Sequence, residues 1–505
     1  MSTLRPRHVL GTPLAEVVAG LGLVGPSVPT PVSGVRIDSR LVRPGEIYVA
    51  LPGARTHGAR FARQAVASGA AAILTDAEGR DMVGEIDVPV LVSGRLRADA
   101  AEISARVFGR PGDRLRLFGV TGTNGKTTTV ALLESILRAR GDRVGTVGTL
   151  GFRLDGDTLE AERATVTTPD APDLQGLLAR YLEAGVDSVA LEVSSHAMAL
   201  ARVDSLTFDV AAFLNLGRDH LDFHASLEEY FEAKASLFSP ERVRQAVVWV
   251  DDERGVEVAR RCRGHGLPVH TVGTTRDADH RLSAFEPVHP LGGRAVLDTP
   301  AGRFPLELAM PGWHNMIDAA IAFTMAHRAA IDPEVILEGL RHAQVPGRMQ
   351  VLDLPDGAPT VVVDFAHTPQ AVSATLEALQ GFPRVVTVLG CGGDRDKVKR
   401  PLMGRAAAEL SDVLVVTDDN PRTEPPDEIR AQMLSGSHGL RARVHEVDDR
   451  RRAIEFALTT AGDGSVVAIL GKGHERGQEI QGRVHPFDDA LVAQDVWRQT
   501  EGRDR

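Results

Sequence analysis

The chain is 505 residues long, with 57 Lys and Arg against 68 Asp and Glu, a net charge of −11, and 43% hydrophobic residues. That length predicts two to four domains with their own cores, and the acidic balance excludes nonspecific nucleic-acid binding, which needs a basic surface to displace counterions. Only Cys262 and Cys391 occur, no run of 18 apolar residues offers a membrane span, and the N-terminus lacks a signal-peptide core, so a cytoplasmic protein without disulfides or membrane insertion is expected.

In chain order, short apolar runs at 46–51 and 70–75 flank an alanine-rich helix at 61–67, and Gly-Arg-Pro-Gly-Asp within 108–114 marks a linker. From 115 onward strands and helices alternate, with strand-like runs at 115–120, 188–193, 210–216 and 246–250. Such alternation predicts a mostly parallel sheet covered by helices. Residues 268–310 break the rhythm and are expected to form a small antiparallel annex, followed by a helix at 316–330 and a second linker at 345–348. Runs at 360–364, 384–389, 413–417, 443–447 and 466–470 predict a second open α/β sheet. The expected architecture is α/β in three domains, 1–112, 113–344 and 345–505.

The strongest motif is Gly119-Val-Thr-Gly-Thr-Asn-Gly-Lys-Thr-Thr-Thr129, set between a strand and the helical apolar face of Val130, Leu133, Ile136 and Leu137. A glycine turn there aims backbone N–H groups at an anion on a helix N-terminus. Lys126 supplies charge for the β/γ-phosphates and the Thr127 hydroxyl suits magnesium. Val120 stands where the strict template has its first glycine, and Gly119 lies one residue earlier. A nucleoside triphosphate site is predicted.

Glu192 closes a strand at its carboxyl end, where ligands gather in open sheets, so it reads as a magnesium ligand or as a solvated strand end. Asn215, Asp219, His220, Asp222 and His224 cluster beyond the next strand, as metal and phosphate contacts or as a polar loop with a helix cap. Ser226-Leu-Glu-Glu229 is a capping box, and Leu227, Tyr230, Phe231, Leu237 and Phe238 mark the apolar face it opens. Lys234 falls on that face. Its ammonium must snorkel, pair, or become a neutral amine able to take up carbon dioxide as a carbamate; pattern alone favours snorkelling.

In the last domain, loops at 390–397, 418–422 and 471–475 follow three strands and should meet at one sheet edge. They offer Arg395, Arg422, Asn420 and Glu475. Guanidinium groups grip a carboxylate and Glu475 an ammonium, which would hold a zwitterionic amino acid. Asp364, at another strand end, could contact a nucleotide ribose.

With these residues assembled, the chain resembles the Mur ligases nearly end to end. The resemblance rests on Gly122-Thr-Asn-Gly-Lys-Thr-Thr128, Glu192-Val-Ser-Ser-His196, Asp219-His-Leu-Asp222, Pro346-Gly-Arg348, Asp364-Phe-Ala-His367 and Asp419-Asn-Pro-Arg422. It implies an N-terminal UDP-binding α/β domain, a central P-loop ATPase-like domain and a C-terminal Rossmann-like domain. It implies a monomeric, ADP-forming amide ligase of peptidoglycan precursor synthesis that uses ATP and two Mg²⁺ ions. Diaminopimelate would be added to the D-Glu γ-carboxylate of UDP-MurNAc-L-Ala-D-Glu through an acyl phosphate. The alternatives are the same reaction with L-lysine or another diamino acid, and a folylpolyglutamate synthase-like ligase.

By the same resemblance, Gly122, Thr123, Asn124, Gly125, Lys126, Thr127, Thr128, Asn315, Arg348 and Asp364 bind ATP. Thr127, Glu192, His220 and a carbamylated Lys234 hold metal, which reverses the snorkelling preference, and Lys126, His220, Lys234 and Arg348 are catalytic. Asp38-Ser39-Arg40, His57-Gly58, Thr167, Thr168, Ser194 and Arg202 face the UDP substrate, although Val166 replaces the asparagine often found before the threonine pair. Arg395, Asp419, Asn420, Pro421, Arg422, Gly471 and Glu475 take diaminopimelate. The Asp-Asn-Pro-Arg loop resembles diaminopimelate-adding members, and Arg422 suits a distal carboxylate that lysine lacks.

Overall fold

The computed structural model describes all residues except 1–3, 8, 27, 54–55, 160–165, 222, 289–290, 356 and 502–505. The chain divides into two units, Met1–Arg281 with Ile321–Gly339 and Leu282–Ala320 with Leu340–Arg505.

The first unit holds two large sheets, besides a short two-stranded one that pairs Thr12–Pro13 with Pro31–Val32. Strands β1 (Gly34–Arg36), β2 (Glu46–Val49), β3 (Ala72–Thr75) and β4 (Val90–Val92) run parallel in that order. Helices α1 (Ala62–Ala67), α2 (Ala77–Val83) and α3 (Leu96–Val107) belong to the same segment. The strands read as unbroken buried runs because both faces of a parallel sheet are covered.

The second sheet contains β5 (Arg116–Thr121), β6 (Val144–Gly148), β7 (Gly151–Leu154), β8 (Ser188–Glu192), β9 (Val210–Phe213), β10 (Ala246–Trp249) and β11 (Val269–Gly273). Their spatial order is β7-β6-β8-β5-β9-β10-β11, parallel throughout except for the β6–β7 hairpin. Its helices are α4 (Lys126–Ala139), α5 (Ala171–Glu183), α6 (Ser195–Ala199), α7 (Leu227–Ala235) and α8 (Glu253–Gly264). Chain order reverses on either side of β5, so a crevice opens at its carboxyl end. Pairing of Glu192 with Val120 and of Phe213 with Thr121 sets the ends of β8 and β9 level with it. Phe118, Phe208, Phe213, Phe231 and Tyr181 are completely buried in this unit, each ring worth about 1.5–3 kcal/mol of transfer free energy.

The expected annex at 268–310 is corrected in part. Strand β11 extends the parallel sheet, and β12 (His280–Pro287) begins parallel to it through Val272 and His280. Beyond it, β13 (Gly293–Thr299) and β14 (Gly302–Leu308) pair as an antiparallel hairpin. The helix expected at 316–330 is α9 (Trp313–Arg328), and α10 (Pro333–Arg341) follows.

In the second unit, β15 (Thr360–Asp364), β16 (Val385–Leu389), β17 (Val413–Val416), β18 (Arg443–Glu446) and β19 (Val466–Leu470) are parallel in the order β15-β19-β16-β17-β18. Helices α11 (Pro369–Glu377), α12 (Lys399–Leu410), α13 (Pro426–Ser437), α14 (Arg450–Ala461) and α15 (Asp489–Glu501) accompany them. Leu470 pairs with both Asp364 and Leu389, and Leu389 with Val416, so four strand ends and their loops reach one edge. A hairpin of β20 (Gly477–Ile480) and β21 (Arg483–Pro486) borders that edge; its polar strands gave no apolar signal. Among the described residues no helix is long and apolar enough to cross a membrane.

Candidate active site

The phosphate loop leaves β5 where its sheet opens. Gly122 packs against Leu214, whose Cβ lies 2.8 Å from where a side chain would begin, and Gly125 starts α4 at φ +87°. Asn215 clasps the loop: its Oδ1 accepts from the Asn124 amide at 3.0 Å and its Nδ2 donates to the Asn124 carbonyl at 3.2 Å. Thr123 joins it, donating from its backbone to the Asn215 carbonyl at 3.1 Å and sharing a 3.1 Å hydroxyl bond with Tyr230. Lys126 Nζ donates to the Gly122 and Thr123 carbonyls at 2.8 and 2.9 Å. Thr127 and Thr128 are buried in the first turn.

Glu192 is not a solvated strand end; it is 1% exposed. Its Oε1 accepts from the Thr127 hydroxyl at 2.9 Å and from the Thr149 amide at 2.8 Å, and its Oε2 from the Thr149 hydroxyl at 3.0 Å. Thr149, in the β6–β7 turn, escaped sequence reasoning because three glycines interrupt that stretch. Gly148 is required beside it, since any Cβ would overlap the Glu192 carboxylate. A hydroxyl and a carboxylate side by side at a phosphate loop are the hard oxygen donors that magnesium accepts together with phosphate oxygens and water.

The predicted polar cluster separates. His220 adopts a left-handed φ of +53°, with its ring 4.9 Å from that of His196 and 6.0 Å from that of Tyr230. His224 turns inward and shares a 3.0 Å bond with Ser195 Oγ. Asp219 lies 3.6 Å from His220 Nε2, and Asp222 falls outside the described residues. The capping box forms with a shift, because Ser226 Oγ accepts from the Glu229 amide while the Glu229 carboxylate reaches the Ala225 amide. Leu227 is exposed rather than part of the apolar face. Lys234 does not snorkel: it is 1% exposed, donates to the Gly122 carbonyl at 2.8 Å, and lies 4.6 Å from the Tyr230 ring centre. Burial, then the neighbouring Lys126 charge, hold its amine well below the usual lysine range.

Beyond Glu192 the second threonine pair is tied in. Thr168 Oγ1 donates to the Glu192 carbonyl at 2.7 Å, and Arg202 donates to the Thr168 carbonyl at 2.8 Å while pairing with Asp170 at 3.1 Å. Ser194 Oγ caps α6, Thr167 approaches Thr149 at 3.5 Å between hydroxyls, and Val166 is exposed. In the N-terminal sheet, Arg40 pairs with Asp38 at 2.7 Å and Ser39 bonds Gln64 at 3.1 Å. His57 has both nitrogens engaged, Nδ1 by the Ala59 amide at 3.0 Å and Nε2 by Asp76 at 3.1 Å, so its direct role is to fix the turn at Gly58.

In the second unit, the three expected loops do meet. Arg422, at φ +51°, donates from Nη1 to the Gly393 carbonyl at 2.7 Å and from the Nε side to Glu479 at 3.2 Å. Pro421 packs its carbonyl so closely on Gly393 that no Cβ fits there. Asn420 donates to Glu475 Oε2 at 2.8 Å, and buried Asp419 lies against Gly471. Arg395 is exposed and makes no ion pair among the described residues. Arg348 stacks over the Phe365 ring at 4.3 Å, and Asp364 holds the adjoining Met349 amide at 2.7 Å and the Thr375 hydroxyl at 3.2 Å. Asn315 is buried and donates to the Pro311 carbonyl at 2.7 Å. Glu479, Phe365 and Lys472 carried no assigned role from sequence, although Phe365 lies within Asp364-Phe-Ala-His367 and Lys472 within the 471–475 loop.

Family models match three stretches of this chain: the Mur ligase family catalytic domain at 31–107, the Mur ligase middle domain at 120–326, and the Mur ligase glutamate ligase domain at 347–473. A UDP-N-acetylmuramoyl-L-alanyl-D-glutamate--2,6-diaminopimelate ligase of Streptomyces avermitilis is 42% identical, over 99% of each chain. A UDP-N-acetylmuramyl-tripeptide synthetase of Leifsonia xyli is 40% identical, over 97% of this chain and 98% of that one. A solved structure of a UDP-N-acetylmuramoyl-L-alanyl-D-glutamate--2,6-diaminopimelate ligase superposes with a TM-score of 0.70 at 32% identity, covering 97% of this chain and 100% of the other.

Proposed function

The chain belongs to the Mur ligase family, and we propose that it joins 2,6-diaminopimelate to the D-glutamyl γ-carboxyl of UDP-MurNAc-L-Ala-D-Glu, converting ATP to ADP and phosphate. The observation that carries the choice of amino acid is that loops bearing Arg422, Asn420 and Glu475 meet at one sheet edge, Asn420 donating to Glu475 and Arg422 to the Gly393 carbonyl. Diaminopimelate ends in both a carboxylate and an ammonium, whereas lysine would leave the guanidinium without a substrate partner.

A carboxylate is a poor electrophile with a poor leaving group, so it must be activated. The γ-phosphoryl group passes from ATP to the glutamyl oxygen, ADP departs, and an acyl phosphate forms. The diaminopimelate amine attacks that carbonyl, loses a proton, and the tetrahedral adduct expels phosphate as the amide closes. Lys126 and the amides of residues 122–127 would cradle the triphosphate, and Arg348 would meet the terminal phosphoryl group. Thr127 and Glu192, with His220 and a carbamylated Lys234, would hold Mg²⁺, which neutralises phosphate charge when bound. Thr168, Ser194 and Arg202 would align the glutamyl arm, and the fixed turns around Ser39, Arg40 and His57 would receive the uridyl end.

Mass spectrometry of a reaction with all three substrates tests the proposal. The nucleotide product should gain one diaminopimelate residue; an unchanged nucleotide mass would overturn the assignment.

A further inference from the structure

Lys472 carries the argument beyond the groups that touch substrate. It is the second residue of the loop after β19 and is 0% exposed. Gly471 and Gly473 flank it at φ +110° and +53°, and a side chain on Gly473 would press on Phe365 and the Gly347 carbonyl. Those glycines let the loop turn inward around the lysine. Its Nζ donates to Asn420 Oδ1 at 3.1 Å and to Glu475 Oε2 at 3.0 Å.

A side-chain amide can present either end to a neighbour, and only its partners decide which. Asn420 Oδ1 faces two donors, Lys472 Nζ and the Glu479 amide, the latter at 2.9 Å. Flipping the amide would set NH₂ against both, so the orientation is fixed. Nδ2 therefore points to Glu475 Oε2, which now accepts from two groups at 2.8 and 3.0 Å. Glu475 keeps Oε1 for an incoming ammonium.

We propose that Lys472 is a positioning residue, whose buried ammonium orients Asn420 and Glu475 to receive the amino-acid substrate. The proposal rests on the reading of this recess as the diaminopimelate site. It assigns a role to a side chain that solvent cannot reach, acting through its two neighbours.

The test is Lys472→Met, with each substrate varied in turn and the unaltered chain assayed first. If the unaltered chain does not use diaminopimelate, the functional reading fails, and the lysine is not at issue. Otherwise KM for diaminopimelate should rise about tenfold or more, while KM for ATP and for the nucleotide-peptide stays within about twofold and kcat falls less than KM rises. An unchanged diaminopimelate KM, or three that rise together, overturns the proposal. Because Lys472→Met leaves a carboxylate without its counter-ion, the same substitution is also made in Glu475→Gln, where that strain is gone. There it should cost less than it does beside Glu475; full additivity overturns the proposal as well.

Discussion

Lys126 and Lys234 donate to one acceptor, each Nζ lying 2.8 Å from the Gly122 carbonyl oxygen. Two ammonium ions cannot share that oxygen without strong repulsion, and Lys234 is the buried one. Burial, then the Lys126 charge, lower its hold on a proton and favour the neutral amine, the form that can add carbon dioxide and shed a proton to become a carbamate anion. Lys234→Ala should lose nearly all turnover, with part of it restored by short carboxylic acids that supply the missing anion. Absence of any recovery over a full concentration series contradicts the carbamate.

Lys126→Ala removes the point charge expected on the β/γ-phosphates. Loss of such an electrostatic donor costs about 100- to 1000-fold in kcat. ADP release should fall by that factor while the melting temperature barely moves, since the bonds Lys126 donates to the Gly122 and Thr123 carbonyls stay within its own loop. Undiminished ADP release would remove this lysine from the chemistry.

Arg422→Ala separates the amino acid from the nucleotide. A charge-assisted pair is worth about 1.5–3 kcal/mol, so KM for diaminopimelate should rise about 10- to 150-fold. KM for ATP should stay put. Equal rises in both would place Arg422 elsewhere than in the amino-acid recess.

A pH effect on stability follows from His280, buried beside His270. Burial, then the His270 charge, push its imidazole down from 6.5 to about 4, with His327 and Arg328 adding to this and Asp279 opposing. The native ring is neutral, so the unfolded chain takes up the proton first. Stability from this residue is complete above about pH 6.5 and is lost as pH falls towards 4, by roughly 2–3 kcal/mol. His280→Gln should flatten that part of the stability curve in denaturant titrations; an unaltered slope contradicts the burial argument.

The phosphate loop was legible because chemistry fixes its spacing: a turn, a lysine and a hydroxyl must arrive at one helix start. Strand runs such as 360–364 and 466–470 were legible because both faces are buried, leaving nearly unbroken apolar stretches rich in valine. Depth was not legible. Periodicity put Lys234 on the apolar face beside Tyr230, one turn away, but whether its tip reaches water depends on the Gly122 carbonyl, 112 residues away along the chain. The β6–β7 hairpin hid behind Gly145, Gly148 and Gly151, so the Thr149 clamp on Glu192 hid with it. Lys472 and Glu479 act through amide orientation, which leaves no trace in spacing.

The most direct measurement is phosphate release from ATP with UDP-MurNAc-L-Ala-D-Glu and, in separate reactions, diaminopimelate, L-lysine, D-Ala-D-Ala or glutamate. The account predicts rapid release with diaminopimelate and little with the other three. Equal rates with lysine, or no release with diaminopimelate, would contradict it.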